Sequence, residues 1–594
     1  MKYPEIPLAQ TIVFLCKAKG IQNIVISPGS RNAPLTIGFT SDPYFNTYSI
    51  VDERSAAFFA MGMAAQQQQP VAVVCTSGSA LLNYSPAVSE AFYSDVPLVV
   101  ISADRPPYRI DIGDGQTIRQ DNIFERHILY SANLKQDLRE DDNPLQRDQD
   151  SIPPLMQLAH KDLTLQNGVQ AYNEEEINKA LNTAIEKMGP VHLNAPFEEP
   201  LYNRLERPTV APDVNEITPV TTMVTDRDME EMAGIWNKAK RKIVMVGVLK
   251  PGSLEQRLLE QLVNDDSVVL LTETTSNLHT SRAFPFIDKL IAPLEKMEDA
   301  SRYWEELQPE VLLTFGGMVV SKKVKAFLRK YQPKHHWHVD VKKAFDTFFC
   351  LEKHIKLDIG VFLERFAMEI HPVDSAYYPY WDAIRKDRSQ RHENYFRGLS
   401  FSDLKAYETV LKTIPTPFNV HLSNSSTIRY AQLFTLDPEL QIFCNRGTSG
   451  IDGSTSTAVG AAFKNEVPTL LITGDLSFFY DSNGLWNNYL KNDFRIILIN
   501  NAGGGIFRIL PGDKQDPDFE TYFETTHNLH AEGICDTFGL EYHRAMSDEE
   551  LKAQLTTFYK EGDRPKLLEV FTPRTLNDKV LQEYFRYLSQ TEPS

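Results

Sequence analysis

The chain carries three groups of short apolar, β-branched runs, and each group alternates with segments of helical pattern. Runs that are apolar throughout are typical of strands buried on both faces, and their alternation with helices predicts parallel sheets covered by helices. We therefore predict an α/β protein with three parallel-sheet domains. The strands are predicted, in chain order, at 23–27, 46–51, 71–76, 97–102 and 191–196, then 242–248, 267–273, 310–317 and 336–341, and finally 418–423, 441–446, 469–475, 495–501 and 566–571.

Polar, proline-bearing stretches at 205–219 and 376–395 separate the three groups and indicate domain boundaries. A length of 594 residues also favours several domains over a single core. A further polar stretch, 135–154, interrupts the first group and is predicted to be a surface loop, while the glutamines 66–69 are predicted to close a helix. The predicted domains are 1–204, 220–370 and 395–594.

The charge and the cysteines restrict the class of protein. A formal net charge of -18 disfavours nucleic acid or an anionic membrane surface as a partner of the whole molecule. The five cysteines are widely spaced and form no close pair of the kind that binds zinc or carries redox chemistry, so they are predicted to be reduced thiols. The first 20 residues have neither a signal-peptide layout nor an apolar span. We expect a cytoplasmic protein without a membrane span.

The most specific chemical feature is a pair of runs, TLLITGDLS and RIILINNAGGG, that each end a predicted strand. The segment between them, 482–492, has the length of a crossover helix, so the carboxyl ends of the two strands should lie side by side. The Asp475 carboxylate would then lie near the Asn501 amide oxygen and the Gly503 carbonyl. These are three hard oxygen donors suited to Mg²⁺, with Mn²⁺ as an alternative, and the glycines 503–505 allow a diphosphate to approach the backbone.

GDLS followed by NNAGG resembles the diphosphate-binding motif of thiamine-diphosphate enzymes, although Leu476 replaces the third residue of the usual GDG. The resemblance implies thiamine diphosphate as the cofactor. In the first region, the run YSIVDERSAAFFAMGMAAQ passes from a strand into a helix with Glu53 at the junction. By its position alone, Glu53 fits an acidic residue that complements the helix dipole. In thiamine-diphosphate enzymes, a glutamate at such a junction hydrogen-bonds the aminopyrimidine of the cofactor, and the resemblance implies that catalytic role for Glu53.

Further segments resemble the menaquinone-pathway branch of this superfamily. They are ISPGSRNAPL, ISADRPPYRIDIGDGQTIRQ, GPVHLNAPFEEPLY, SNSSTIRYAQ and CNRGTSGIDGSTSTA. The resemblance implies a substrate site formed by Ser30, Arg31, Arg105, Gln116, Arg429, Arg446, Ile506 and Leu510. It implies cofactor contacts from Glu53, Ser425, Ile451, Asp475, Leu476, Ser477, Asn501, Gly503, Gly504 and Ile506, with Ile451 as the bulky residue that holds the cofactor bent.

The same resemblance implies a transferase that decarboxylates 2-oxoglutarate and adds the product to isochorismate. Both substrates are dicarboxylates, and a group of arginines in an acidic chain suits them, although any one arginine is as well explained by a solvated surface. The family also uses a lysine of the middle region, for which Lys289 and Lys296 are both candidates. In this family the cofactor spans the first domain of one subunit and the third domain of another, which implies a homodimer or a homotetramer.

Other functions are less well supported by the residues. Another thiamine-diphosphate enzyme, of the acetolactate-synthase or simple decarboxylase type, would have less use for the arginines. A non-catalytic binding protein would not need Glu53 together with a full magnesium set, and no GxGxxG follows a strand as a nicotinamide enzyme would require. The run HHWH at 335–338 is predicted to be a structural strand rather than a metal site, because only His336 and His338 share a face.

Overall fold

The computed structural model of the protein describes residues 2–138, 163–217, 224–510 and 512–590. By their contacts these residues fall into two compact units. Unit 1 is drawn from 1–219, 447–466 and 481–491, and unit 2 is drawn from 220–446, 467–480 and 492–594.

The described strands form three parallel sheets and one antiparallel pair. In chain order they are β1 (Tyr3–Pro4), β2 (Asn23–Ile26), β3 (Asn46–Ser49), β4 (Val71–Cys75), β5 (Leu98–Asp104), β6 (Tyr130–Asn133), β7 (Val191–Pro196), β8 (Arg204–Leu205), β9 (Lys242–Val246), β10 (Val268–Leu271), β11 (Ala283–Phe284), β12 (Val311–Phe315), β13 (His335–Val339), β14 (Lys353–Ile355), β15 (Asn419–Leu422), β16 (Gln441–Phe443), β17 (Thr469–Gly474), β18 (Arg495–Asn500), β19 (Glu541–Ala545) and β20 (Lys566–Phe571).

The α-helices cover the sheets. In chain order, those of the described residues are α1 (Pro7–Ala18), α2 (Ala33–Ser41), α3 (Glu53–Gln67), α4 (Ser79–Leu82), α5 (Ser85–Ser94), α6 (Leu163–Lys187), α7 (Asp226–Trp236), α8 (Gln256–Val263), α9 (Ile287–Ile291), α10 (Ala300–Leu307), α11 (Lys322–Lys330), α12 (Ile359–Phe366), α13 (Tyr377–Phe396), α14 (Asp403–Leu411), α15 (Ser426–Ala431), α16 (Ser454–Lys464), α17 (Asp475–Tyr480), α18 (Ile506–Ile509), α19 (Glu532–Phe538), α20 (Asp548–Phe558) and α21 (Asn577–Ser589).

The sheet of unit 1 has the strand order β3-β2-β4-β5-β7-β6, and all neighbouring strands are parallel. The chain leaves β2 for β3 on one side and continues to β4 on the other, so the carboxyl ends of β2 and β4 form a topological switch point. The two loops there lie very close together, because a Cβ on Gly29 would come within 2.3 Å of the Thr76 Cβ. This crevice is where an open parallel sheet binds its ligands.

Helix α3 of unit 1 packs against α16, and glycine permits the short distance between the two backbones. A Cβ on Gly460 would lie 2.1 Å from the Phe59 carbonyl oxygen. The N-cap of α16 is Gly453, whose φ is +69°, and the ring of Phe58 fills the space that a side chain there would need. The residues before α16 are therefore held against the start of α3.

Unit 2 contains the other two sheets, again with parallel neighbours throughout. The central sheet has the order β11-β10-β9-β12-β13-β14. Along β9, Val244 and Val246 belong to one apolar cluster while Ile243 and Met245 belong to another, so both faces are buried. The third sheet has the order β16-β15-β17-β18-β20-β19. Its switch point lies between β15 and β17.

The three predicted parallel sheets are confirmed, and a strand is present at each predicted position. Six short strands were not predicted, namely β1, β6, β8, β11, β14 and β19. The strands of each parallel sheet lie inside the predicted ranges 1–204, 220–370 and 395–594, and the domain boundaries themselves stay a prediction. The glutamine run closes a helix as predicted, since α3 ends at Gln67. Residues 139–154 of the predicted surface loop and 218–219 of the first boundary lie outside the described residues.

The stretch 376–395 forms the helix α13, which buries Tyr377, Trp381, Arg388 and Phe396, and its place at a domain boundary stays a prediction. One local prediction is wrong. The segment 482–492 contains only a 3₁₀ turn at Ser482–Leu485, because the helix after β17 begins at once with Asp475. The strands β17 and β18 are nevertheless parallel neighbours. Among the described residues, no helix combines the length and the apolar character needed to cross a bilayer.

Candidate cofactor and substrate site

Asp475 and Gly503 of unit 2 meet at the carboxyl ends of β17 and β18. Asp475 is buried and is the first residue of α17. One of its carboxylate oxygens accepts from its own neighbour, the Leu476 N–H, at 2.7 Å, and the other accepts from the Gly503 N–H at 2.9 Å. His527 lies on the same side, with Nε2 3.3 Å from the Asp475 carboxylate. No motif pointed to this histidine.

Asn501 presents a spare oxygen at the same place. Its amide nitrogen donates to the Asp403 carboxylate at 2.9 Å, and its Oδ1 is buried without a hydrogen-bond partner among the described residues. Buried amide oxygens are seldom left unsatisfied, so this atom is suited to a ligand that the protein binds. Burial raises the pKa of Asp403 to about 6, and the amide of Asn501 donates a hydrogen bond that opposes the rise. The oxygen set of Asp475, Asn501 and Gly503 fits a hard divalent cation such as Mg²⁺.

The glycine run after β18 has the backbone that a diphosphate site needs. Gly503 has a φ of +151°, and a Cβ there would come within 2.8 Å of the Glu524 carbonyl oxygen, so a side chain is excluded. Gly504 follows it, and Ile506 starts the short helix α18. Ser477 is buried in α17, Leu476 is partly buried, and Leu510 is largely exposed. The structure therefore brings the predicted diphosphate-binding residues of unit 2 to one loop cluster.

Ser425 lies at the switch point of the third sheet in a strained conformation. It is the N-cap of α15, with φ +66° and ψ -122°, a region that residues other than glycine rarely adopt. The adjacent Asn424 accepts from Arg446 Nη1 at 2.7 Å and donates to the Asn445 carbonyl at 2.7 Å. The loop after β15 thus fixes the loop after β16.

Unit 2 gathers three cations near this loop. Arg429 and Arg446 are within electrostatic range of each other: burial lowers the pKa of Arg429, and the positive charge of Arg446 lowers it further. Lys325 of α11 is half-buried and close to Arg446. Burial lowers the pKa of Lys325, and Arg446 adds to that effect while Glu273 opposes it. Three positive charges held together in a half-buried place suit a carboxylate ligand.

Neither lysine candidate of the middle region lies with these cations. Lys289 is almost fully buried, and burial lowers its pKa to about 7. The negative charge of Glu393 opposes that shift. Lys296 lies beside Arg586, and its ammonium contacts the Gln582 carbonyl at 3.5 Å. Lys325 was not singled out from the sequence because KKVK at 322–325 has the pattern of a solvated helix face. Its electrostatic interaction with Arg446 is the observation that distinguishes it.

Unit 1 holds the other two predicted arginines, and they share one carboxylate. Arg31 is only 2% exposed and donates to the Phe197 carbonyl at 2.9 Å and to Glu199 at 2.5 Å. Arg105 approaches the same Glu199 oxygen at 3.8 Å. The pKa of Arg105 is lowered by burial and by the charge of Arg31. The pair can thus bind a carboxylate, and Glu199 was not predicted because it is 168 residues away from Arg31.

The predicted substrate contacts Ser30 and Gln116 are both exposed. Ser30 directly precedes Arg31, and Gln116 lies in the segment that follows Arg105. Gln116 has a φ of +57°, and its carbonyl accepts from the Ser77 hydroxyl at 2.9 Å. The buried Gln120 anchors the same loop: its amide accepts from the Gly78 N–H at 2.9 Å and donates to Asn194 at 2.8 Å. The loop that carries Gln116 is therefore attached to the loop after β4.

Glu53 is the first residue of α3, after the N-cap Asp52. Its charge lies close enough to the buried Cys75 and Tyr84 to influence both, and it raises the pKa of each in addition to the larger effect of burial. Ile451 lies in the same unit, is exposed, and precedes α16. Phe58, Phe59 and Met61, which follow Glu53, are buried.

The histidine run lies in a strand, and the strand was predicted. His336 and His338 of β13 both contact the Thr314 hydroxyl, at 3.0 Å and 2.8 Å. Burial lowers the pKa of each to about 4. Within the ranges that the structure describes, no three His, Cys, Asp or Glu side chains form a metal cluster. The five cysteines all lie in these ranges, and none forms a disulfide.

Comparison with known proteins identifies the cofactor. Residues 6–126 match the family described as "Thiamine pyrophosphate enzyme, N-terminal TPP binding domain", and residues 425–570 match "Thiamine pyrophosphate enzyme, C-terminal TPP binding domain". The matches contain the regions of Glu53 and of Asp475, respectively. The protein is an enzyme that uses thiamine diphosphate.

The chain is similar over its whole length to proteins named 2-succinyl-5-enolpyruvyl-6-hydroxy-3-cyclohexene-1-carboxylate synthase. It is 55% identical to the one from Christiangramia forsetii, 49% identical to that of Flavobacterium johnsoniae and 48% identical to that of Flavobacterium psychrophilum. Each alignment covers 99% of this chain and 100% of the relative. The resemblance predicted from the motifs is confirmed, and this chain belongs to the family of 2-succinyl-5-enolpyruvyl-6-hydroxy-3-cyclohexene-1-carboxylate synthases.

Proposed function

We propose that the chain decarboxylates 2-oxoglutarate and joins the remaining four-carbon unit to isochorismate by conjugate addition. The products would be CO2 and 2-succinyl-5-enolpyruvyl-6-hydroxy-3-cyclohexene-1-carboxylate, an intermediate of menaquinone synthesis. The observation that carries this proposal is the clustering of the cations: Arg31 with Arg105 in unit 1, and Arg429 with Arg446 in unit 2. Both substrates are dicarboxylates, and guanidinium groups bind carboxylates through paired hydrogen bonds.

The residues of unit 2 would hold the diphosphate end of the cofactor. Asp475, the Asn501 Oδ1 atom and the Gly503 carbonyl would bind Mg²⁺, and the glycine run would accommodate the phosphate oxygens. The unsatisfied Asn501 oxygen supports this assignment, because it is buried while the other end of the same amide is fixed by Asp403. Ser425, Leu476, Ser477 and Gly504 would complete the contacts with the cofactor.

Thiamine diphosphate, when bound, supplies an electron sink for the pair of electrons left when carbon dioxide departs. Glu53 would hold a proton at the aminopyrimidine and so act as the general acid and base of the reaction. Ile451 would be the bulky residue that packs against the cofactor, and Ile506 and Leu510 would line the substrate cavity. Ser30 and Gln116 would hydrogen-bond the substrates beside Arg31 and Arg105.

Lys325 is proposed as the substrate lysine of the middle region, in place of Lys289 and Lys296. Its support is that it is half-buried and within electrostatic range of Arg446. An ammonium group there would add a point charge to the carboxylate site of the two arginines.

We also propose a homodimer as the smallest active form, with a homotetramer as the larger alternative, working in the cytoplasm. The support is the separation of the assigned residues into two sets: Glu53 belongs to unit 1, whereas the diphosphate residues belong to unit 2. Relatives of this superfamily place the cofactor between two chains, and the same arrangement would join the two sets here.

The competing function is an acetolactate-type synthase or a simple 2-oxo acid decarboxylase. An assay of the products distinguishes the two functions. The protein, with thiamine diphosphate and Mg²⁺, is given 2-oxoglutarate or pyruvate, each with and without isochorismate, and the products are identified by mass spectrometry. We expect the succinylated ring product only with 2-oxoglutarate and isochorismate together. Turnover of pyruvate in preference to 2-oxoglutarate would refute the proposal.

A further inference from the structure

A short loop of unit 1 carries Ile451 and is held at both ends by helices of the same unit. It spans residues 447–453 and leads into α16, whose N-cap is the last residue of the loop, Gly453. We call it the 447–453 loop. At this end, the ring of Phe58 in α3 lies 2.4 Å from the place of a Cβ on Gly453. The first end is held by a different helix, α5.

Glu90 of α5 binds the first two residues of the loop. It is 1% exposed, and one of its carboxylate oxygens accepts from the Gly447 N–H at 2.7 Å. The other oxygen accepts from the Thr448 N–H at 2.6 Å and from the Thr448 hydroxyl at 2.8 Å. The Ser94 hydroxyl, one turn further along α5, donates to the first oxygen at 2.7 Å. Four hydrogen bonds thus end on one buried carboxylate, and three of them come from the loop.

The burial of this carboxylate makes the contact a stiff one. All of the donors to Glu90 in these bonds are neutral groups. A buried carboxylate is costly unless its oxygens are hydrogen-bonded, so each donor offsets part of that cost. A displacement of the loop would lengthen all of the bonds that the loop makes and leave the charge poorly satisfied. Glu90 is therefore a strong restraint on the start of the loop.

The backbone of the loop is shaped for this contact. A Cβ on Gly447 would come within 2.6 Å of the Glu90 carbonyl oxygen, so a side chain there is excluded. A Cβ on Gly450 would lie 2.1 Å from Oδ1 of Asp452, so the middle of the loop is folded closely on itself. A displacement at Gly447 would therefore be passed on to Ile451.

We propose that Glu90 is a positioning residue for the cofactor: by fixing the 447–453 loop, it holds Ile451 where that side chain can keep thiamine diphosphate bent. Glu90 itself need not contact the cofactor. The inference rests on the role that the proposed function gives to Ile451. It adds a residue that lies in none of the motifs that carry the family resemblance.

The test compares two ligands in calorimetric titrations with Mg²⁺: thiamine diphosphate, which must bend, and inorganic pyrophosphate, which occupies only the diphosphate end of the site. In Glu90→Gln an amide N–H group replaces one acceptor, so at least one N–H of the loop faces a donor. We expect the Kd for thiamine diphosphate to rise about tenfold and the Kd for pyrophosphate to stay unchanged. An equal rise for both ligands would show general damage to the site and would overturn the inference.

Asp42→Asn is the matched control. Asp42 is likewise buried in unit 1, and its carboxylate accepts from the Tyr44 N–H at 3.0 Å and from the Lys17 ammonium at 2.8 Å. It precedes β3, at the amino ends of the strands and so at the edge of the sheet opposite the switch point. Both Kd values should stay at the wild-type level. A rise for thiamine diphosphate as large as that in Glu90→Gln would overturn the inference.

A milder variant covers the case in which Glu90→Gln does not fold. Thr448→Val, at an exposed residue, removes only the bond from the hydroxyl to Glu90. We expect it to raise the Kd for thiamine diphosphate about threefold, again without a change for pyrophosphate. An unchanged Kd for thiamine diphosphate would contradict the inference.

A second measurement repeats Glu90→Gln in an Ile451→Ala background. If Glu90 acts through Ile451, its effect on the Kd for thiamine diphosphate should largely vanish there. Additive effects, or a wild-type Kd in Ile451→Ala alone, would overturn the inference and leave the proposed reaction standing. A wild type that binds thiamine diphosphate but forms no succinylated product would refute the proposed reaction without changing these binding results.

Discussion

Gly62 of α3 lies directly against Thr457 of α16: a Cβ on Gly62 would come within 2.1 Å of the Thr457 carbonyl oxygen. The neighbouring carbonyl carbon would be 2.9 Å away, so a side chain at this place must displace backbone rather than a flexible group. Glycine is unfavourable in the middle of a helix, and here the close crossing of two helices explains its presence.

Gly62→Ala is therefore expected to destabilise the protein, by about 1–3 kcal/mol, because the two helices must move apart. The matched control is Gly168→Ala in α6, where a Cβ would meet nothing within 4 Å. That change should be neutral or stabilising, since alanine is the better helix former. Thermal unfolding of both variants measures the difference, and equal midpoints would show that the crossing is not tight.

Glu53→Gln is expected to reduce kcat by roughly 10²–10⁴-fold, because the amide cannot exchange the proton that the aminopyrimidine requires. Binding of thiamine diphosphate, measured by calorimetric titration, should stay largely intact. The control is Glu532→Gln, since Glu532 is likewise the first residue of a helix, α19, and supplies the same dipole interaction. A near-normal rate in Glu53→Gln would remove this residue from the mechanism.

Mixing two inactive variants tests whether each active site is formed by two chains. Asp475→Ala should abolish binding of the metal and the diphosphate, and Glu53→Gln should abolish turnover. If the site is shared, a mixed dimer contains one complete site, so co-refolded variants should regain about a quarter of wild-type activity by random pairing. No recovery, with mixed dimers demonstrated by mass spectrometry, would place both residues in one chain's site.

Arg105→Ala is expected to raise KM for the dicarboxylate substrates about 10–100-fold, because a charge-assisted contact with a carboxylate is lost. The control is Arg119→Ala, which removes an arginine of the following loop that is largely exposed and paired with Asp111. Its KM should be unchanged, as surface ion pairs contribute little. Similar KM values in the two variants would mean that Arg105 does not bind substrate.

His421 is expected to make stability depend on pH below neutrality. It is buried in β15, stacked on Phe443 with ring centroids 5.0 Å apart, and burial lowers its pKa to about 3. Between pH 6.5 and 3 the unfolded chain binds a proton that the folded chain does not, so stability falls as the pH falls. At pH 5 the loss from this residue is about 2 kcal/mol.

His421→Leu removes that titration, so its urea midpoint should fall less than the wild-type midpoint between pH 7.5 and pH 5. The exposed His371, replaced by leucine, serves as the control and should leave the wild-type pH dependence unchanged. The same fall in all three proteins would mean that His421 is protonated in the folded state.

The sheets could be predicted because their central strands are buried on both faces and consist of apolar residues. Three of the strands that were missed, β6, β14 and β19, lie at sheet edges, carry polar residues and are each mostly half-exposed. Helix α13 was not predicted as a helix because its buried stripe contains Arg388 and most of its other residues are polar. A segment with so few apolar residues shows no clear helical periodicity of hydrophobic positions.

Some residues of the candidate site could likewise be predicted from the sequence, and others could not. Asp475, Asn501 and Gly503 could be predicted as neighbours because each directly follows one of two adjacent strands. Contacts between side chains far apart in the chain, such as Arg31 with Glu199, depend on packing that no local pattern encodes. Lys325 is the clearest case, because its electrostatic interaction with Arg446 is what distinguishes it from the other lysines of its helix.

The position of β16 in the third sheet bears on how the protein avoids aggregation. β16 is the outermost strand of the third sheet, and its free edge could pair with a strand of another molecule. Asn277 occupies both backbone groups of Ile442 on that edge, as a neighbouring strand would. A substitution that removes the amide would therefore uncover a site for intermolecular β-pairing, and concentrated solutions of such a variant should form oligomers that the wild type does not.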